Sequence, residues 1–287
     1  MGCAASLARA LIPRDTVTDP VFLVTGASSG LGQALVSRLA ALGHRIVAAD
    51  GCTHRLEETA RRAAWPLGQV RLVPLDVREP AQWNSAFGLG ERAFGGVDVL
   101  LHAATHQKAG EAYAAAVAEV HRHLDVNAKG TAFALQAAAA HMLARGGGHA
   151  VVFPSLDAFA PRPGQGLYAA AAAAARSLSL ASDLELRPRG LSVTVVLTAA
   201  VGSPADAAAL GTAAPEAGED LSSKEPVVDA VLERVLPAFP RELVLPLSQG
   251  LAARLACLSA SICAFFWNRS ERRLPGRQSR GVRAGAA

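Results

Sequence analysis

Residues 25–32 read Thr-Gly-Ala-Ser-Ser-Gly-Leu-Gly, between an apolar run at 21–25 and a helical pattern near 31–42. Glycines at this spacing let a chain turn tightly and bring its backbone close to a pyrophosphate. The helix that follows offers unpaired N–H groups and the positive end of its dipole. Asp50 stands 18 residues beyond Gly32, at the end of the next apolar run. A carboxylate there can accept hydrogen bonds from both hydroxyls of an adenosine ribose and repel a 2′-phosphate. A glycine trio alone is weak, but strand, turn, helix, strand and acid in this order are the context it needs. The pattern implies a dinucleotide site built from Gly26, Ser28, Ser29, Gly30, Leu31, Gly32 and Asp50, with NAD(H) preferred over NADP(H). No arginine follows Asp50 at once, and Gly51-Cys52-Thr53 offers nothing to hold a phosphate.

Such a site needs strands to carry the turn and helices to cover them. Short apolar runs occur at 21–25, 45–50, 70–74, 97–102, 149–154, 191–198 and 242–246. Helical patterns lie between them, near 31–42, 55–64, 81–94, 111–144, 167–186 and 227–238. Strands apolar on both faces and separated by helices indicate a parallel sheet covered on both sides. The expected fold is α/β: a single doubly wound Rossmann-type domain with a seven-stranded parallel sheet flanked by helices. Residues 1–19 read as an N-terminal extension, 20–247 as the domain, and 248–287 as an apolar helix with a basic tail. The segment 199–223 is longer than a simple connection needs, which suggests a lid.

Further along, Asp76-Val77 follows the third strand, and Asp125-Val126-Asn127-Ala128-Lys129-Gly130 lies within the long helical region. Ser155 and Tyr168 stand thirteen apart, with Pro161 and Gly164 between them. Together with the glycine turn, these residues resemble the short-chain dehydrogenase/reductase superfamily over about residues 20–247. The resemblance implies that Asp76 and Val77 bind the adenine side of a nicotinamide cofactor. It implies that Asn127, Ser155 and Tyr168 are catalytic, with Asn127 holding a helix kink and a relay water. A phenol near a nicotinamide can give or take the proton that accompanies hydride transfer. A neighbouring hydroxyl can hydrogen-bond the substrate oxygen as charge develops on it.

The chain also departs from that family. The active-site lysine expected four residues after the tyrosine is Ala172. Without a cation to lower its pKa, a phenol is a poor base for oxidising an alcohol but keeps the proton that a carbonyl would need. Arg176, one turn further on, is long enough to reach back. The Asn-Asn-Ala-Gly expected after the fourth strand is His102-Ala103-Ala104-Thr105, with His102 reading as a satisfied buried histidine. The Pro-Gly after the sixth strand is Thr198-Ala199. These changes surround the nicotinamide half, while the adenosine half is kept. Two readings follow: an oxidoreductase acting on a hydroxyl or carbonyl substrate, or a nucleotide-binding pseudoenzyme that serves as sensor or scaffold.

Composition narrows the setting. Hydrophobic residues make up 51% of the 287 and charged residues 18%, which suits a folded domain and not a disordered chain. The net charge of +4 is concentrated at the end. Residues 269–287 carry six arginines against Glu271, leaving a near-neutral body and no basic face for nucleic acid. The four cysteines form no CxxC pair, His121 and His123 are a poor metal pair at a separation of two, and no metal site is expected. A reduced, cytoplasmic compartment is the default. Membrane association could come from acylation at Gly2 and Cys3, or from the uncharged stretch 255–267 between basic flanks. Phe153, Leu156 and Phe159 favour a small apolar substrate. The alanine-rich helices at 111–144 and 167–186, which include seven consecutive alanines at 169–175, suit a homodimer or homotetramer by analogy with the family.

Overall fold

The computed structural model describes residues 19–28, 30–198, 224–259 and 261. Seven strands are defined: β1 (Val21–Thr25), β2 (Arg45–Asp50), β3 (Val70–Pro74), β4 (Val99–His102), β5 (Gly148–Val152), β6 (Leu191–Thr198) and β7 (Glu242–Leu245). They form one parallel sheet in the order β3-β2-β1-β4-β5-β6-β7. The order reverses between β1 and β4, so a crevice opens at their carboxyl ends. Among the described residues the longer helices are α1 (Gly30–Ala41), α2 (Thr53–Arg62), α3 (Pro80–Phe94), α4 (Val117–His123), α5 (Gly130–Leu143), α6 (Gly166–Leu186), α7 (Lys224–Ala230) and α8 (Leu247–Cys257).

Strand side chains alternate between two cores. Phe22, Val24, Ile46, Ala48 and Val99 join Leu35 and Leu39 of α1, Leu56 of α2 and Val228 of α7. Val21, Leu23, Val47, Ala49 and Leu100 join Trp83 and Phe87 of α3 and Met142 of α5. A two-residue period with both faces apolar explains why these runs lie inside a covered parallel sheet. On α3 the buried set is Trp83, Ala86, Phe87 and Gly90, which recur at helical spacing on one face.

The expected long helix over 111–144 is instead broken into pieces. A 3-10 turn at Ala112–Ala114 precedes α4, and a π turn at Leu124–Lys129 separates α4 from α5. At Gly130 a Cβ would come within 2.9 Å of Val77 Cγ2, so the helix passes this point only as glycine. The proposed lid at 199–223 lies outside the described residues, as do Gly2 and Cys3 and most of 255–267. Among the described residues no helix is long and apolar enough to cross a membrane.

The helix that carries Tyr168 is pinned at its far end by one carboxylate. Asp183 of α6 is fully buried and accepts from Val193 N of β6 at 2.9 Å. Arg187 and Arg241 also donate to it, at 2.9 and 3.1 Å. Burial raises its pKa, but the Arg187 hydrogen bond and the Val193 amide more than offset this, and the net value lies below the ordinary one. A carboxylate with a depressed folded pKa contributes stability above its unfolded pKa and loses it as pH falls towards the folded value. Asp183→Asn is therefore expected to lower stability by about 2–3 kcal/mol at neutral pH. Below about pH 4 the difference from the parent should shrink. Chemical denaturation at a series of pH values checks this; a constant difference would contradict it.

Candidate active site

The glycine turn is dictated by what its residues touch. Gly26 has φ +67°, and a Cβ there would meet the Ala104 backbone at 2.9 Å. At Gly32 a Cβ would lie 2.2 Å from Gly26 O, so the first turn of α1 can pack on the loop only without a side chain. Gly30 has φ +54° and nothing within 4 Å on that side, which leaves the approach to the start of α1 clear. The first turn of α1 carries no acid to oppose an anion. Leu31 is half-buried against the α1 side of the core. Ser29 lies outside the described residues. This half of the site fits a pyrophosphate.

Asp50 ends β2 and is buried at 6% exposure. Its Oδ2 accepts from Ser28 N at 3.2 Å and Ser28 Oγ at 2.6 Å, and its Oδ1 from Cys52 N at 3.0 Å. The expectation that no cation stands beside it is corrected. Arg55 reaches back from α2, with Nη2 3.3 Å from Asp50 Oδ1 and Nε 2.9 Å from Ser28 Oγ. A position five residues on falls back over the strand end because α2 begins immediately after it. Asp76 is likewise paired. Arg78 holds both of its oxygens, and Gln82 Oε1 accepts from its N–H at 2.8 Å. The Arg78 hydrogen bond keeps the Asp76 carboxyl below its usual value against a smaller desolvation cost. Val77 is buried against Gly130, and its carbonyl accepts from Trp83 Nε1 at 3.0 Å.

The other half is a narrow, partly open cleft. Its lining includes His102, Thr105, Asn127, Ser155, Tyr168 and Ala172. Asn127, Ser155 and Tyr168 are thus brought together from three segments. Asn127 sits in the π turn and uses its amide as a clamp. Oδ1 accepts from His106 N at 2.8 Å and Thr105 Oγ1 at 3.1 Å, while Nδ2 donates to His106 O at 2.7 Å. The Asn127 carbonyl accepts from Thr131 Oγ1 at 2.7 Å. Ser155 caps a 3-10 turn, its Oγ accepting from Asp157 N at 3.1 Å and donating to Asp157 Oδ2 at 3.2 Å. Arg162 in turn holds Asp157 at 2.7 Å.

Tyr168 meets the hydroxyls of Thr105 and Ser155. Burial pushes its phenol above the ordinary value, and the Asp157 carboxylate adds to this against the two hydrogen bonds. The phenol is therefore protonated throughout the neutral range. Thr105, which replaces a glycine of the resembled pattern, turns out to touch both Asn127 and Tyr168.

Three further expectations are corrected. Arg176 does not reach back to the phenol: its guanidinium pairs with Glu242 at 2.6 Å and lies 4.4 Å from the Phe159 ring centre. Leu156 and Phe159 are core side chains against Val195, Leu197 and Val244, leaving Phe153 as the aromatic of the cleft wall. His102 is buried but only half satisfied. Nδ1 meets Thr25 Oγ1 at 2.8 Å, whereas Nε2 has no partner. Burial pushes its pKa down to about 4, so it is neutral in the cleft floor.

Residues 20–212 match the family model described as short chain dehydrogenase. An uncharacterized oxidoreductase of Staphylococcus aureus is 29% identical over 180 residues, which cover 63% of this chain and 77% of that protein. Another, from Staphylococcus epidermidis, is 29% identical over 188 residues, 66% of this chain and 80% of the relative. A solved short-chain dehydrogenase of Streptomyces avermitilis superposes with a TM-score of 0.72 at 23% identity, over 90% of this chain and 98% of that one. A short-chain type dehydrogenase/reductase of Mycobacterium ulcerans gives 0.69 at 20% identity, over 79% and 87%.

The protein has two tyrosines, so Tyr113→Phe leaves the Tyr168 phenol as the sole ultraviolet-titrating tyrosine. Its midpoint is expected above about 10. Adding Ala172→Lys should lower it by about one unit or more, because an ammonium in the cleft favours the phenolate. An unchanged midpoint would show that position 172 does not address the phenol.

Proposed function

Because the chain belongs to the short-chain dehydrogenase family, we propose that it is an NAD(H)-dependent oxidoreductase that reduces the carbonyl of a small apolar substrate. The carrying observation is the cleft that brings Tyr168 together with Ser155, Asn127 and Thr105 and holds Ala172 at the position four residues on, where burial raises the phenol pKa. Such a phenol can donate a proton to an oxygen that is gaining charge, and it is a weak base for the reverse reaction.

The glycine turn, Asp50 and Asp76 would hold the adenosine and pyrophosphate portion. The cleft between Thr105, Asn127 and Tyr168 would hold the nicotinamide portion. When bound, that group supplies the hydride. Ser155 Oγ orients the carbonyl oxygen, and Tyr168 delivers the proton to it. Asn127 keeps the loop after β4 in place, which sets Thr105 against the phenol. Val152, Phe153, Pro154 and Ala175 give the cleft an apolar wall, which supports an apolar substrate.

The NAD(H) preference is supported by the buried Asp50 carboxylate. Arg55 beside it is the group that would meet a 2′-phosphate once that carboxylate is removed. Fluorescence titration is expected to find NADH bound more tightly than NADPH. Asp50→Ala should weaken NADH by about tenfold and erase most of the preference. Tyr168→Phe should leave NADH binding intact and cut carbonyl reduction by about 10²-fold or more. A second reading, nucleotide binding without turnover, is favoured by Ala172. NADH binding together with carbonyl reduction indifferent to Tyr168→Phe would select it.

We also propose that α8 meets a membrane surface. Leu247, Leu251, Leu255 and Leu258 are exposed by 52–76% and recur at helical spacing, and the six arginines of 269–287 would complement anionic headgroups. Flotation with phosphatidylserine vesicles is expected to carry the full-length protein. The double substitution Leu251→Glu and Leu255→Glu should release it. Equal flotation of both proteins would exclude α8 as the contact.

A further inference from the structure

Beside the cleft, three ligating side chains from two segments converge. His106 lies in the loop after β4. Glu119 and His123 stand one turn apart on α4 and so share a face. One donor atom from each lies within 4.8 Å of the others. His106 Nε2 and Glu119 Oε2 are 3.3 Å apart. Two donors bound at the zinc–nitrogen and zinc–oxygen distances of a tetrahedral site lie about 3.3–3.4 Å from each other, so this pair already has the required separation.

The third ligand is oriented as metal-binding imidazoles are. His123 Nδ1 lies 2.8 Å from the Glu119 carbonyl, which can only accept, so that nitrogen carries the proton. Nε2 therefore carries the lone pair, which accepts the Lys108 N–H at 3.3 Å, a hydrogen bond that a bound ion would replace. A backbone carbonyl on the distal nitrogen is the arrangement that locks a ligating histidine. His123 is fully buried, and its ring stands 4.7 Å from that of His106 at 65°. Lys108 Nζ is 3.1 Å from Glu119 Oε1, which leaves Oε2 on the side of the histidines.

We propose that His106, Glu119 and His123 form a three-ligand site for a divalent transition-metal ion of the zinc class, with the fourth position left to water. Two imidazoles and one carboxylate suit zinc and its first-row neighbours, whereas calcium and magnesium require oxygen donors. The site is joined to the cleft through the backbone. Both the N–H and the carbonyl of His106 are held by the Asn127 amide, and Thr105 beside it touches Tyr168. An ion here would fasten the loop after β4 to α4 and so position the Thr105–Asn127–Tyr168 group.

The full chain, stripped of metal with a chelator, is titrated with Zn²⁺ against a chromophoric competitor. One ion per chain is expected at sub-micromolar affinity, undiminished by excess Mg²⁺. Glu119→Gln and His106→Gln, at half-exposed positions, should each weaken it by about tenfold or more with unchanged circular dichroism. Should the buried His123→Gln fail to fold, those two variants carry the test. Co²⁺ should give the weak visible bands of a nitrogen–oxygen site, and these bands should be lost in Glu119→Gln. Zinc affinity equal in the parent and both variants overturns the proposal. So does a Co²⁺ spectrum dominated by thiolate charge transfer, which would place the ion on cysteine.

Discussion

The pairing of β1 with β4 is the constraint on which the site depends. It turns the sheet order back on itself and leaves a crevice at the strand ends. The Thr25 hydroxyl closes that junction. It accepts the Ala104 N–H at 3.2 Å and meets His102 Nδ1 at 2.8 Å. Gly26 then passes under the Ala104 backbone, and Gly32 packs on Gly26 O. The glycine turn, the start of α1 and the loop after β4 are thus one packed unit. Asn127 grips that same loop from the π turn, so the glycine turn and the cleft share a single support.

Charge is distributed unequally along this support. At the adenosine end, carboxylates and guanidiniums are matched: Asp50 with Arg55, and Asp76 with Arg78. At the cleft end, Tyr168 faces hydroxyls and a buried neutral imidazole, and position 172 supplies a methyl group. The guanidinium on the next turn of α6 is committed to Glu242. A phenol in such a setting keeps its proton, which distinguishes delivering a proton from removing one. This is the physical link between the alanine at position 172 and the direction of reaction proposed for the site.

Much of this was legible in the chain. Seven apolar runs became seven parallel strands because strands buried on both faces need apolar residues on both. Gly26 and Gly32 announced the turn because no side chain fits there. Ser155 and Tyr168 could be paired because their spacing matched a recurring pattern. Less legible were groups that meet across segments. Arg55 lies five residues beyond Asp50, and only the immediate return of α2 over the strand end brings it back. Thr105 stands 22 residues before Asn127, and only the packing of the loop on the π turn lets its hydroxyl donate to the Asn127 amide. The break at 124–129 left no mark in a helical pattern, since a π turn keeps helical composition while shifting which residues face inward.

The sequence by itself determined the layers, the number of strands and the identity of the residues in the glycine turn. These rest on periodicity and on glycines that only one backbone path allows. Tertiary structure alone decided which charges neutralise which, where Arg176 points, and that His106 meets Glu119 and His123. Periodicity reports which face of an element is buried, whereas side-chain pairing depends on how two elements approach. That approach is set by packing among residues far apart in the chain.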